Sequence, residues 1–152
     1  MAKKHEYIEK NGNLIDMFSQ GEFDAIAHGC NCFNTMGAGL AAQISIRYRE
    51  AMDADNLTTS GDLLKLGSLT LAATDDGVIY NLYTQYQGGK HLDYDALTLS
   101  LRKMSKMIKG KDWTIGFPQI GAGIAGGNWN KIKRIILREF AGEKIVFVYF
   151  KK

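Results

Sequence analysis

Gly121-Ala122-Gly123-Ile124-Ala125-Gly126-Gly127 and, far upstream, Gly37-Ala38-Gly39 each follow a strand-like apolar run and lead into a helix-like one. Glycine permits positive φ and lets backbone N–H groups approach a ligand closely, and a helix starting just beyond adds partial positive charge. Amide-rich turns of this kind grip phosphate oxygens. Two of them in one chain suggest a clamp for a diphosphate.

Around these turns strand and helix patterns alternate. His5 to Glu9 reads as a short first strand, and Asn11-Gly12-Asn13 then turns into a brief helix, Leu14-Ile15-Asp16-Met17-Phe18, ended by Gly21. Asp24-Ala25-Ile26-Ala27-His28 has the short apolar run of a buried strand. Beyond the first glycine turn, Leu40, Ala41, Ile44 and Tyr48 recur at helical spacing. Leu66 to Thr74 and Val78 to Thr84 flank Asp75-Asp76-Gly77, a hairpin signal that makes those strands antiparallel. Asp93 or Asp95 starts a helix with the core stripe Leu97, Leu101, Met104 and Ile108, stopped by Gly110. Trp113 to Ile120 is the fifth strand, Ile132, Ile135, Ile136 and Phe140 mark the last helix, and Lys144 to Phe150 closes as a strand.

This order predicts an α/β fold: a mixed, mostly parallel sheet of about six strands with helices on both faces. Ligands of such sheets bind beyond the carboxyl ends of the strands. If their strands run parallel, both glycine turns leave from that side and face each other across one crevice.

The 152 residues, 45% hydrophobic and 23% charged, fit one globular domain over 1–152 with no linker or disordered tail. The net charge of +3 is modest, and Lys103, Lys106, Lys109 and Lys111 near one helix end read as a solvated face rather than a nucleic-acid site. Met1 to Lys10 holds no apolar stretch for a signal peptide or membrane span, so a cytoplasmic protein with no membrane partner is expected. Cys30 and Cys32 lie too close to bridge comfortably and are too few for a four-thiolate site, and the three histidines are scattered. No metal and no cofactor are expected, and the chain is taken as a monomer.

Polar side chains gather in His28-Gly29-Cys30-Asn31-Cys32-Phe33-Asn34-Thr35-Met36, just before the first turn. Asn31 either bonds a ribose hydroxyl or caps its own turn, and its place at the strand end favours the ligand. Cys30 and Cys32 read as packing residues. For His28, a satisfied core histidine and a proton relay or phosphate partner stand level on the residues alone. After Phe117-Pro118-Gln119-Ile120, the second loop could enclose a phosphate and a distal ribose, with Asn128 or Asn130 capping the next helix. Lys131, Lys133 and Arg134 in its early turns oppose the helix dipole, which a bound anion or plain solvation relieves. Tyr149 and Phe150 either stack on a base or serve as core and rim. Both turns also satisfy the dinucleotide fingerprint, but its tight spacing after the strand and its acidic partner are missing, which argues against a nicotinamide fold.

On these residues the chain resembles the macro domain family, whose members bind ADP-ribose between two such loops. It is most similar to the small stand-alone ADP-ribose 1''-phosphate phosphatases. The matching stretches are His28-Gly29-Cys30-Asn31-Cys32 through Gly37-Ala38-Gly39-Leu40-Ala41-Ala42-Gln43 with Arg47-Tyr48, and Pro118-Gln119-Ile120 with Gly123-Ile124, Gly126 and Trp129. The resemblance implies a three-layer α/β/α macro domain that removes the 1'' phosphate from the distal ribose, with His28 and Asn31 catalytic. Its implied ADP-ribose contacts are Asn13, Leu14, Gly29, Cys30, Asn31, Gly37, Ala38, Gly39, Leu40, Gln119, Gly121, Ala122, Gly123, Ile124, Ala125 and Gly126, and Tyr149 and Phe150 are the candidates for stacking on adenine. A non-catalytic reader of ADP-ribose, or an enzyme freeing ADP-ribose from modified protein or nucleic acid, are the alternatives it leaves. Where many macro domains have Asp for the adenine amino group, this chain has Asn13. Where the terminal ADP-ribose glycohydrolases have Lys and Asp, it has Gln85 and Ala125, and an amide cannot form their lysine adduct.

Overall fold

A computed structural model of the chain describes residues 7–150. Its strands are β1 (Tyr7–Gly12), β2 (Ala25–Cys30), β3 (Leu69–Thr74), β4 (Gly77–Tyr83), β5 (Thr114–Phe117) and β6 (Lys144–Phe150). They form one six-stranded sheet in the order β1-β6-β5-β2-β4-β3. Every neighbouring pair is parallel except β3 with β4. That pair is the hairpin expected at Asp75-Asp76-Gly77, with Thr74 opposite Gly77.

Helices cover both faces, as the alternating pattern requires. On one side α4 (Tyr94–Ile108) and α5 (Trp129–Glu139) bury Leu97, Leu101, Met104, Ile132 and Ile136 against Ala25, Ala27, Ile115 and Phe147 of the sheet. On the other, α1 (Leu14–Ser19), α2 (Gly39–Arg47) and α3 (Arg49–Asn56) pack Ile15, Phe18, Ile44 and Ala51 against Ile26, Ile79 and Val146. Side chains alternate along β2, so Ala25 and Ala27 serve one core and Ile26 the other. Burying both faces is what makes Ala25-Ile26-Ala27 an unbroken apolar run.

Several boundaries differ from the sequence expectation. Asn11 and Gly12 extend β1 in register with Tyr149 and Phe150 instead of turning, while His5 and Glu6 lie outside the described residues. β5 stops at Phe117, because Pro118 has no N–H for the ladder. The helix after the first glycine turn breaks at Tyr48 (φ −130°, ψ 86°), and a second helix, α3, follows. Tyr48 is held there by its ring, 5.3 Å from that of Phe18, and by a 2.8 Å hydrogen bond from its hydroxyl to Asp76.

The sheet order creates the crevice. From β5 the chain runs through α5 to β6 on one side, and from β2 through α2 and α3 to β3 and β4 on the other. β2 and β5 pair only at Ala25–Ile115 and Ile26–Gly116, so their carboxyl ends part where the direction of winding reverses.

Candidate ligand-binding site

A cleft of about 540 Å³ opens at that switch point. One wall is the end of β2 with the first glycine turn: His28, Gly29, Cys30, Asn31, Thr35, Gly37, Ala38, Gly39, Leu40 and Ala41. The facing wall is Pro118, Gln119, Ile120, Gly121, Gly123, Ile124 and Ala125, and the far end is closed by Thr84, Gln85, Gly88 and Gly89. The two glycine turns therefore meet across one crevice, and almost touch: a Cβ on Gly39 would lie 3.3 Å from Cδ1 of Ile124. Gly39 also has φ +57°, so a side chain there would be both strained and crowded.

The helix ends differ in a way that bears on binding. Asn13, Asp93 and Asn128 cap α1, α4 and α5, each accepting from first-turn N–H groups through its side-chain oxygen. Ala38, at the start of α2, supplies no side-chain cap. The amino end of α2 thus faces the cleft with its first-turn donors open to an anion. In the opposite turn the carbonyls of Gly121 and Gly123 accept from Gly127 and Gly126, and that of Ala125 from Leu92. Among the described residues no Asp, Glu, Lys or Arg lines the cleft, so no carboxylate described in its wall repels a phosphate by charge.

His28 is 1% exposed, and its Nε2 lies 2.6 Å from Oδ1 of Asn81. The Asn81 amide donates to the Ala51 carbonyl (2.9 Å) and to Thr70 Oγ1 (3.1 Å), which fixes the flip and makes Nε2 the protonated nitrogen. Burial pushes the imidazole down to about 4, the Asn81 bond opposing only part of that. The ring is neutral at pH 7, and charge pairing with a phosphate there is disfavoured. Nδ1 keeps its lone pair, with the Cys30 sulfur 3.9 Å away. Burial drives the Cys30 thiol far above its usual range, as expected of a packing cysteine.

Asn31 forms the local turn: Oδ1 accepts from the Phe33 N–H (2.8 Å) and Nδ2 donates to Thr35 Oγ1 (2.8 Å), all at the cleft wall. The loop beneath is pinned from below. Lys65, 6% exposed, donates to the Cys32 carbonyl (3.0 Å) and to Oδ1 of Asn34, which sits at φ +57°. Its ammonium also lies 4.9 Å above the Tyr83 ring.

Other residues singled out in the sequence sit beside the cleft rather than in its wall. Asn13 accepts from Ile15 and Asp16, and Leu14 is buried in the core. Ala122 packs against the α4–α5 core, and Gly126 lies over the Lys90 side chain. The Tyr149 hydroxyl donates to Glu9 (2.7 Å) and accepts from Trp129 (3.2 Å), while Phe150 is 64% exposed. The four strands β1, β6, β5 and β2 end on one edge of the sheet, which Asn13, Tyr149 and Phe150 share with the cleft. Lys133 pairs with Glu9, so that early-helix charge is met within the protein. Sequence reading missed Gly88 and Gly89, although a glycine doublet between a strand and a capped helix is itself a loop signal.

No protein-family model matches the chain. Over 138 residues it is 39% identical to an uncharacterised 17.5 kDa protein of Enterobacteria phage T4, covering 86% of each. It is 27% identical over 170 residues to the ADP-ribose 1''-phosphate phosphatase of Saccharomyces cerevisiae, across 91% of this chain and 94% of that one. Among solved structures it superposes on the DarG macrodomain of Thermus aquaticus with a TM-score of 0.75 at 19% identity, over 94% and 97% of the two chains. On Thermosipho africanus DarTG, solved with ADP-ribose, the TM-score is 0.74 at 16% identity, over 99% of this chain and 43% of that one. The six-stranded mixed sheet, its two helical layers and the cleft at the switch point define a macro domain. The chain belongs to one family with the phage T4 protein, and its fold is that of the macro domains.

Proposed function

We propose that the cleft binds ADP-ribose and that the protein hydrolyses ADP-ribose 1''-phosphate to ADP-ribose and phosphate. The observation that carries this reading is the uncapped amino end of α2 facing the second glycine turn across a cleft without acidic side chains. The diphosphate lies between the N–H groups of Gly39, Leu40 and Ala41 and those of Gly123, Ile124 and Ala125. Adenine lies toward Asn13, Tyr149 and Phe150, and the distal ribose toward Asn31 and His28. The named yeast relative and the ADP-ribose complex of the Thermosipho neighbour support this ligand.

In hydrolysis, water attacks phosphorus, the bond from phosphorus to the anomeric oxygen breaks, and that oxygen leaves on ADP-ribose as a hydroxyl with a proton taken from solvent. With no carboxylate or amine in the wall, catalysis rests on positioning and on backbone amides that stabilise charge on the transferring group. Neutral His28 takes the water proton at Nδ1, its other nitrogen held by Asn81. Phosphate release from ADP-ribose 1''-phosphate above the buffer rate tests the reaction; none would end it.

The same bare wall favours a second reading, a reader of free or protein-linked ADP-ribose that catalyses nothing. Tight ADP-ribose binding by calorimetry, with no turnover of the phosphorylated or protein-linked forms, would select it. Release of ADP-ribose from modified protein or nucleic acid would instead select a hydrolase of those conjugates.

A further inference from the structure

Thr84, just beyond the end of β4, is 0% exposed and lines the cleft. Its backbone is fully engaged: its N–H donates to the Cys30 carbonyl (3.2 Å), and its carbonyl accepts from Asp93 (2.9 Å). Its hydroxyl has no partner. Among the described residues it is the only buried side-chain nitrogen or oxygen in that condition. The other buried polar groups on the far side of the sheet, such as Asn81 and Tyr83, are tied into hydrogen bonds. A hydroxyl left unpaired in a wall lowers stability unless something entering from the cleft satisfies it.

Gly29 is what lets the hydroxyl pack where it does. A Cβ on Gly29 would lie 2.8 Å from Thr84 Oγ1 and 3.4 Å from Cγ1 of Ile120. Gly29 and Ile120 line the same cleft, and the hydroxyl packs against the bare Cα of Gly29 in its wall. This part of the wall lies on the β4 side of β2, away from β6 and β1, and so at the end assigned above to the distal ribose.

We propose that Thr84 is a specificity-determining residue of the cleft, its hydroxyl bonding an oxygen of the distal ribose or its phosphate at the wall beside Gly29. The proposal rests on the ADP-ribose reading. It makes Thr84 a sensor of the ligand's far sugar, with no part in holding adenine or the diphosphate.

Thr84→Val keeps the shape and removes the hydroxyl. Calorimetry with ADP-ribose and with ADP, which lacks the distal ribose, separates this role from a general disturbance. The expected result is a Kd for ADP-ribose raised about fivefold to tenfold, with ADP affinity and Tm unchanged or Tm higher, and with Thr84→Ser like the natural protein. ADP-ribose affinity equal to that of the natural protein would overturn the proposal and leave the ADP-ribose reading standing. Equal losses for ADP and ADP-ribose would also overturn it, since the effect would then be structural. A natural protein that bound ADP but not ADP-ribose, or neither, would remove the ADP-ribose reading and the proposal with it.

Discussion

Nε2 of His28, a residue of the cleft wall, donates to Oδ1 of Asn81 over 2.6 Å, across the β2–β4 pair. This bond sets the tautomer of the one histidine in the site and leaves Nδ1 as its only free acceptor. It also fixes how the protein responds to acid. The folded-state value near 4 lies below the ordinary 6.5, so between those values the unfolded chain binds a proton that the folded one refuses. Stability therefore falls as pH drops from 6.5 toward 4 and levels off below, by ~3 kcal/mol from this group. An NMR titration should find the His28 ring neutral down to about pH 4. A midpoint near 6.5 would refute the assignment, and a pH–rate profile should show no inflection from this ring between 6 and 8.

Gly123 offers a clean block of the cleft. No heavy atom lies within 4 Å of a Cβ placed there, and its φ is not positive, so Gly123→Val leaves the fold intact with Tm within about 2 °C. Its side chain occupies the phosphate path, and ADP-ribose affinity should drop by about 100-fold or more. Unchanged affinity by titration would remove the second turn from the binding site. Gly127 behaves oppositely: a Cβ there would lie 2.3 Å from a Leu92 carbon and 2.7 Å from the Gly121 carbonyl, so Gly127→Val should unfold the loop itself.

Lys65 anchors the first loop from within. Lys65→Met deprives the Cys32 carbonyl and the Asn34 amide oxygen of their shared donor and should lower stability by about 2–3 kcal/mol in urea unfolding. Asn34 would then relax from its left-handed conformation, and ADP-ribose binding should weaken in parallel. Loss of stability with full affinity would show that the loop keeps its shape without the lysine.

Glu139 ties α5 to α4. Arg102 holds its carboxyl below 4.5, with burial opposing and Arg138 assisting. The bonds are 2.9 and 3.3 Å from Arg102 and 3.1 Å from Arg138. A depressed carboxylate stabilises above its unfolded value and stops doing so as pH falls through the folded one. Glu139→Gln should therefore cost on the order of 0.5–1 kcal/mol at pH 7 and nothing once both states are protonated. A difference that persisted in acid would point to packing instead of charge.

The alternation of apolar runs, the Asp-Gly hairpin and the capped starts at Asp93 and Asn128 made the layers and the sheet legible from sequence, because each is a local signal. The site was legible only in part. The glycine turns announced themselves, but whether Asn13 and Tyr149 are free to meet a ligand depends on partners distant in sequence or on a cap they already serve. The break at Tyr48 is a tertiary effect, set by Phe18 and Asp76 against a helical pattern that ran through it. Nothing in the sequence singles out Lys65, and only the fold brings it under Asn34. Thr84 carries no sequence signal, since an unpaired hydroxyl exists only once its surroundings have closed around it.

The most direct measurement is a proton–nitrogen NMR titration of the natural protein with ADP-ribose, following every backbone amide. Saturable shifts concentrated at Gly37 to Ala41 and Gly121 to Ala125, on both walls together, are the expected result. Shifts confined to one wall or to another face of the sheet, or none at millimolar ligand, would contradict a nucleotide sugar held between the two turns.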